Sequence, residues 1–182
     1  AVVTSSGLGS KGSDGINTTG SDLEVAAYKN IIEWLNGKRK AYADKTSNRE
    51  VKADWSSGNV AMTGLSWAGT TTFGVASTGV EGLKTIVPAA GIASWYDHFN
   101  SQGSPLDTGA SNDLSWLSVY TSGRILDKED WDKVKDYYAA YITKLNELQH
   151  KDGHNYNEEY VKRDYTLNAA NLKAAPLIIQ GL

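Results

Sequence analysis

A serine flanked by glycines stands between a short apolar segment and a helix of small residues, and this junction constrains the fold most. Val60–Thr63 is a run of the kind that forms buried parallel strands, and Gly64-Leu65-Ser66-Trp67-Ala68-Gly69 follows it. Residues 68–78 are Ala, Gly, Thr, Ser and Val with a single Phe, which favours a helix that packs closely on a sheet. Leu83–Val87 predicts the next strand, halted by Pro88. Strand, turn, helix and strand predict the βαβ unit of a parallel sheet.

The turn itself resembles a nucleophile elbow, in which strained backbone lifts a serine Oγ clear of the sheet. The N–H groups of the following helix can stabilise a developing oxyanion. We therefore expect Ser66 to be a catalytic nucleophile and the backbone N–H of Trp67 to be the oxyanion donor. The common pattern is G-x-S-x-G, whereas Ala68 holds its last position here and Gly69 comes one residue later. A structural βα turn without chemistry is the alternative.

The segment before this unit predicts a loop, a helix and a connector. Residues 5–15 form a Gly/Ser-rich loop, for which a structural or active-site-rim role is favoured over a phosphate cradle because no Gly-Lys-Ser/Thr follows. Ser21, with Glu24 three residues later, predicts a helix start with a capping box, and Asn36-Gly37 predicts its end. Residues 38–57 are polar and predict an exposed connector.

After residue 92 the pattern becomes helical. Apolar residues three or four apart predict one long helix, capped by Asp127 and ended by Asp152-Gly153. We therefore predict three regions: 1–91 as the first part of an α/β core, 92–165 as a helical insertion, and 166–182 as a return to the core.

Both ends of the chain have strand-like sequences. Ala1–Thr4 predicts the end of a buried strand, and Pro176–Leu182 predicts a strand that runs into a turn. Domains rarely begin and end within core strands, because the sheet then lacks neighbours. We interpret the chain as an excised fragment.

Composition excludes several classes of function. The 182 residues are 40% hydrophobic and 21% charged, with a net charge of −3 and no basic cluster, so neither nucleic acid nor membrane is expected as a partner. No cysteine is present, which excludes disulfides and thiolate chemistry and fits the cytoplasmic location that we expect. The 6 Trp and 10 Tyr suggest carbohydrate binding as an alternative, but most follow helical apolar faces and predict core packing.

Three stretches carry a family resemblance. Residues 55–69, Thr78–Leu83 and Ile92–Tyr96 resemble the X-prolyl dipeptidyl aminopeptidases of lactic acid bacteria, whose elbow has the spacing G-x-S-[YW]-x-G. The resemblance covers nearly the whole chain. It implies a partial α/β-hydrolase sheet of about three to four parallel strands with a helical insertion. It also implies a serine peptidase, without cofactor or metal, that releases X-Pro dipeptides from peptide N-termini through an acyl-enzyme on Ser66.

The resemblance also implies where the rest of the catalytic triad lies. In this family the order is Ser, Asp, His, and the Asp follows a H-G-x-x-D-like turn that begins here as Gln180-Gly181-Leu182. The Asp is then expected about two residues beyond Leu182, with the His further on. The chain alone is therefore expected to be inactive. Alternatives are an esterase or acyltransferase with the same elbow, or an inert structural fragment that self-associates as a homo-oligomer through sheet edges.

The expected partner is a proline-containing peptide, and the resemblance implies residues that contact it. Trp95 and Tyr96 correspond to the substrate-pocket segment, and the flat face of Trp95 suits a proline ring, with a core tryptophan as the alternative. His98 stands where the family often has an aromatic residue, so we expect it to line the pocket and not to act as the base. Asp113 is the candidate anion for the substrate ammonium, or else a cap for the helix that starts at Leu114.

The two remaining histidines flank a predicted helix end. His150 and His154 lie on either side of Asp152-Gly153, a polar context that predicts surface positions. A metal site at this pair would need a third ligand that the sequence does not indicate.

Overall fold

The fold is described from a computed structural model, and the structure describes residues 1–106, 113–122 and 128–181. The chain divides into two compact units. Unit 1 comprises Ala1, Val25–Ala93 and Tyr165–Leu182, and unit 2 comprises Val2–Glu24 and Ser94–Asp164. This division groups Val2–Glu24 with the later helices, whereas the sequence suggested a continuous region 1–91.

The regular elements of the described residues are short strands and helices. In chain order they are α1 (Asp22–Leu35), β1 (Ala41–Tyr42), β2 (Glu50–Val51), β3 (Val60–Leu65), α2 (Trp67–Ser77), β4 (Leu83–Ala89), α3 (Trp95–Phe99), β5 (Asn100–Ser101), β6 (Ser104–Pro105), α4 (Leu114–Ser122), α5 (Lys128–Gln149), α6 (Glu158–Val161), a 3-10 helix (Tyr165–Asn171) and β7 (Ala175–Pro176). None of the helices in the described ranges is both long and apolar enough to cross a bilayer.

Unit 1 contains a parallel sheet of three strands in the order β3-β4-β7. The register sets Met62 opposite Ile86 and Thr85 opposite Ala175. Ile86 of the central strand and Val75 of α2 are both fully buried. The strands predicted at 60–63 and 83–87 and the helix between them are confirmed, as is the α/β class.

Strand β4 continues through Pro88, so the expectation that this proline ends the strand is wrong. The N–H and C=O of one residue in a strand point the same way, and the Pro88 carbonyl accepts the Ile179 N–H at 2.9 Å on the β7 side. The missing donor of Pro88 therefore faces β7, and the hydrogen bonds of β4 to β3 are unaffected. Pro88 pairs with Gly64, two residues before Ser66.

The two ends of the chain differ from one another. The strand predicted at Ala1–Thr4 is wrong: residues 1–7 form no regular secondary structure, and Val2 is 92% exposed. No strand in the described ranges pairs with this segment, so nothing orders it as a strand. At the other end the strand predicted at 176–182 is confirmed in part: β7 covers Ala175–Pro176, and its pairing with β4 extends to an isolated Ala89–Ile179 bridge. Leu182 lies outside the described residues.

The start of α1 is fixed by the buried Glu24. Its carboxylate accepts the Gly20 N–H at 2.8 Å and the Asn17 amide at 3.2 Å, so it caps the residue before Ser21 instead of Ser21 itself. Gly37, with φ of 79°, provides the predicted left-handed end of the helix. The connector at 38–57 is largely exposed and contains the β1–β2 hairpin.

In unit 2 the predicted long helix is confirmed as α5, which buries Tyr138, Leu145 and Gln149. The predicted cap, Asp127, lies outside the described residues. At the other end the Asn157 amide donates to the Gln149 carbonyl at 2.9 Å and so satisfies part of the helix terminus.

The polar centre of unit 2 is Arg163, which is 1% exposed. Its guanidinium donates to the carbonyls of Thr18 and Thr19 at 2.9 and 2.7 Å and to the Glu159 carboxylate at 2.9 Å. The Tyr141 hydroxyl also donates to the Thr18 carbonyl, at 3.3 Å. These hydrogen bonds satisfy backbone carbonyls of the loop before α1, which has no regular secondary structure to do so.

We predict that Arg163→Met lowers the free energy of unfolding by roughly 3–5 kcal/mol, because it removes a buried guanidinium that bonds to the Glu159 carboxylate and to the carbonyls of Thr18 and Thr19. Urea denaturation measures the change. Arg39→Met is the matched control: it removes an ion pair to Glu33 of 2.9 Å in which Arg39 is 49% exposed. The control should cost less than about 1 kcal/mol. Equal losses in the two variants would contradict this account of Arg163.

Candidate active site

Ser66 lies between β3 and α2 in a backbone conformation that side chains rarely adopt. Its φ is 58° and its ψ is −119°, which costs on the order of 1–3 kcal/mol unless the surroundings impose it. They do so through two backbone groups: its N–H donates to the Ala89 carbonyl at 2.8 Å, and its carbonyl accepts the Thr70 N–H at 2.8 Å. The residue is exposed, and its hydroxyl does not cap α2. The strained turn thus presents the hydroxyl outward.

Glycines around Ser66 provide space. A Cβ on Gly64 would lie 2.5 Å from the Cβ of Ala68, and a Cβ on Gly69 would lie 2.6 Å from the Ala89 carbonyl oxygen. Neither glycine has a positive φ. Glycine is required at these two positions because neighbouring backbone atoms approach too closely for a side chain, and not because the backbone needs special freedom. Gly69 faces β4, while the Ala68 methyl packs over Gly64. This explains the shifted glycine: position 69 must lack a side chain and position 68 need not.

The first residue of α2 is Trp67, the predicted oxyanion donor. Its N–H lies at the positive end of an 11-residue helix whose first turn holds no acidic residue. The field of the helix therefore favours negative charge next to Ser66. The assignment of Trp67 as donor stays a prediction that this geometry supports.

The remaining predicted site residues, Trp95, Tyr96, His98 and Asp113, belong to unit 2, whereas Ser66 and Trp67 belong to unit 1. Trp95 is 1% exposed, as expected for the alternative of a core tryptophan. Its ring lies 6.0 Å from that of Phe99 and 6.1 Å from that of His98. In this structure Trp95 packs against the ring of His98, which is the more exposed of the two residues.

Tyr96 and His98 are both more exposed than Trp95. Tyr96 is half-buried and meets the rings of Tyr156 and Tyr160 edge to face, with centroids 5.2 and 5.1 Å apart. His98 is exposed on one side, while Trp95 and Phe99 screen the other. This partial burial lowers the pKa of the His98 imidazole below its usual 6.5.

Asp113 is paired with His150, a contact that sequence reasoning missed. Asp113 Oδ1 lies 2.7 Å from His150 Nε2. At this distance the two side chains share one hydrogen bond. The Asp113 carbonyl also accepts the Leu117 N–H at 3.3 Å, so the residue stands at the start of α4 as the helix-cap alternative proposed.

The two histidines near the end of α5 form a contact of their own. The ring of His154 meets that of His150 edge to face at 5.7 Å. His150 itself is 36% exposed in its side chain. Over the described ranges, no group of three or more potential ligands is arranged to hold a metal ion. Asp113 and His150 are 37 positions apart, and no local pattern in the sequence indicates their pairing.

We predict that Gly69→Ala destabilises the elbow, because the added methyl would lie 2.6 Å from the Ala89 carbonyl oxygen and 3.0 Å from that of Gly64. The expected loss is about 1–3 kcal/mol, measured by urea denaturation. Gly12→Ala is the control, since its Cβ would meet no atom within 4 Å. A neutral Gly69→Ala would show that the strand and helix can separate at little cost.

We predict that stability rises with pH through a window that ends near 6.5, and that His98→Gln removes this contribution. The lowered pKa of His98 means that the unfolded chain binds more protons in that window, so raising the pH favours the folded state. NMR titration of the His98 ring gives the midpoint, and urea denaturation on either side of 6.5 gives the change in stability. A midpoint at or above 6.5 would contradict the burial argument.

Comparison of structures shows the fold class. A crystal structure of a CocE/NonD family hydrolase from Staphylococcus aureus aligns with a TM-score of 0.55 and 22% identity, over 90% of this chain and 24% of that one. A second crystal structure of that hydrolase aligns with a TM-score of 0.53. At this identity the likeness shows the fold alone, which is the α/β-hydrolase fold.

Comparison of sequences shows the family. The chain is 38% identical to the Xaa-Pro dipeptidyl-peptidase of Pediococcus pentosaceus, over 100% of this chain and 23% of that protein. It is 41% identical to the Xaa-Pro dipeptidyl-peptidase of Streptococcus pneumoniae, over 97% of this chain and 24% of that protein. The chain thus spans about a quarter of the length of these curated relatives. Residues 1–182 match the family described as X-Pro dipeptidyl-peptidase (S15 family), and the chain belongs to this hydrolase family.

Proposed function

We propose that this chain supplies the nucleophile of a serine exopeptidase that releases X-Pro dipeptides from peptide N-termini. The observation that carries the proposal is the conformation of Ser66, which is exposed, strained and held by Ala89 and Thr70. Its pair of backbone angles, a φ of 58° with a ψ of −119°, lies outside the left-handed helical region that turns commonly use for non-glycine residues. The printed names of the two peptidase relatives support the choice of substrate.

In the proposed reaction Ser66 Oγ attacks the carbonyl carbon of the proline residue, at the peptide bond that is cleaved. A general base takes the hydroxyl proton, the oxyanion is stabilised at the start of α2, and the leaving amine receives the proton as the C–N bond breaks. Water then attacks the resulting ester and releases the dipeptide. We propose that the base, a His, and its orienting Asp come after residue 182, in the order that the family resemblance implies.

The proposed substrate contacts follow the sequence prediction for Asp113, Tyr96 and His98, whereas Trp95, which is 1% exposed, is given a supporting role in place of the predicted contact with the proline ring. Asp113 is the proposed anion for the substrate ammonium, with Oδ1 engaged by His150. Tyr96 and His98 are proposed to line the pocket, and Trp95 to contribute by supporting His98. The proposed partner is a proline-containing peptide, and a cytoplasmic location is part of the same proposal.

Ser66→Ala in the full-length polypeptide that contains this sequence should abolish hydrolysis of an X-Pro-anilide, by roughly 10³-fold or more in kcat. The loss follows because no acyl-enzyme can form. Ser57→Ala, at an exposed position of the connector, is the control and should leave the rate unchanged. Retention of hydrolysis by Ser66→Ala would refute the nucleophile assignment.

Two further measurements separate the alternatives. Ser66-dependent hydrolysis of a p-nitrophenyl ester without hydrolysis of the X-Pro-anilide would favour an esterase or acyltransferase. Residues 1–182 alone, incubated with a fluorescent fluorophosphonate, should take up no label at Ser66 while circular dichroism shows a folded protein. Labelling of this chain would mean that a base for Ser66 lies within it.

A further inference from the structure

The hydroxyl of Thr70 joins two backbone groups on either side of the elbow. It donates to the Ser66 carbonyl at 3.1 Å and accepts the N–H of Ile92 at 2.9 Å. A hydroxyl has one donor and two acceptor positions, so both bonds form at once. Thr70 is 1% exposed, which keeps water from replacing either partner.

Its two neighbours on α2 differ from it. Thr71 and Thr72 donate to the carbonyls of Ala68 and Gly69 at 2.9 and 2.8 Å, which is the ordinary bonding of threonine to its own helix. Thr70 does this as well, but its oxygen also accepts from Ile92, which lies beyond the end of β4. The three threonines therefore allow a comparison within a single helix.

The segment that leaves β4 encloses the elbow. Ala89 accepts the Ser66 N–H at 2.8 Å, and a Cβ on Gly91 would lie 2.8 Å from the carbonyl carbon of Gly69. The N–H of Ser66 is thus tied to this segment directly, at Ala89. The carbonyl of Ser66 is tied to it through Thr70, at Ile92.

We propose that Thr70 is a positioning residue for Ser66, a role that rests on the proposed function of Ser66 as the nucleophile. The ψ angle of Ser66 sets the direction of its carbonyl, and the N–H and hydroxyl of Thr70 both hold that carbonyl. Without the hydroxyl, one of these two donors is lost and Ile92 loses its acceptor. The strained serine then relaxes away from the orientation that attack requires.

The test compares Thr70→Val, which removes the hydroxyl at nearly constant shape, with Thr70→Ser, which keeps it. In the full-length polypeptide, Thr70→Val should lower kcat for an X-Pro-anilide, and the rate of fluorophosphonate labelling of Ser66, by about tenfold. KM should change by less than about twofold, because the substrate contacts are intact. Thr70→Ser should restore both rates to within about threefold of wild type.

Thr72→Val is the matched control, because it removes a fully buried hydroxyl that bonds only within the helix among the contacts described above. It should keep kcat and the labelling rate near wild type even where it lowers Tm. If Thr70→Val fails to fold, Thr70→Ala replaces it, and its rate relative to Thr70→Ser isolates the hydroxyl. Wild-type rates in Thr70→Val, or equal losses in Thr70→Val and Thr72→Val, would overturn the proposal. Undiminished labelling and hydrolysis in Ser66→Ala would instead refute the proposed function.

Discussion

Ser66 donates its N–H to the carbonyl of Ala89 at 2.8 Å, a bond that crosses from the end of β3 to the end of β4. This bond continues the β3–β4 ladder past Leu65 and Ala89. Helix α2 and the segment after β4 pack closely on it because Gly64, Gly69 and Gly91 have no side chains. None of these three glycines has a positive φ, whereas Ser66 does. The glycines therefore allow the close packing of the βαβ unit, and Ser66 has the strained backbone conformation.

Unit 2 meets a related constraint by other means. The loop before α1 is buried, with Asn17 at 1% and Thr19 at 0% exposure, and irregular backbone at that depth needs partners for its carbonyls. Arg163 and Tyr141 supply them from the later helices, so side chains replace the ladder of a sheet. Burying an arginine costs a large desolvation free energy unless all its N–H groups form hydrogen bonds. The arginine therefore favours the one path of the loop that brings the carbonyls of Thr18 and Thr19 to its guanidinium.

Local patterns were sufficient for the parts of the fold that depend on neighbouring residues. The strand at Val60, the small-residue helix and the elbow were predicted because apolar runs, periodicity and tight turns are short-range features. The continuation of β4 through Pro88 was not, because it depends on which neighbouring strand the missing N–H faces. The pairing of Asp113 with His150 could not be predicted either, since the contact joins the start of one helix to the end of another.

Trp95 shows a different kind of limit. A tryptophan that stacks on a ligand and one that fills a core occur in the same sequence context, and only its 1% exposure distinguishes them here.

The conformation of Ser66, unlike the role of Trp95, could be predicted from its sequence context, because the contacts that hold it all lie within residues 64–92. An elbow can thus be complete in geometry before any base is present, since orientation comes from backbone packing and activation from a titratable partner. Formation of the turn and reactivity of the hydroxyl are therefore separate properties: contacts within residues 64–92 determine the first, and a titratable partner determines the second.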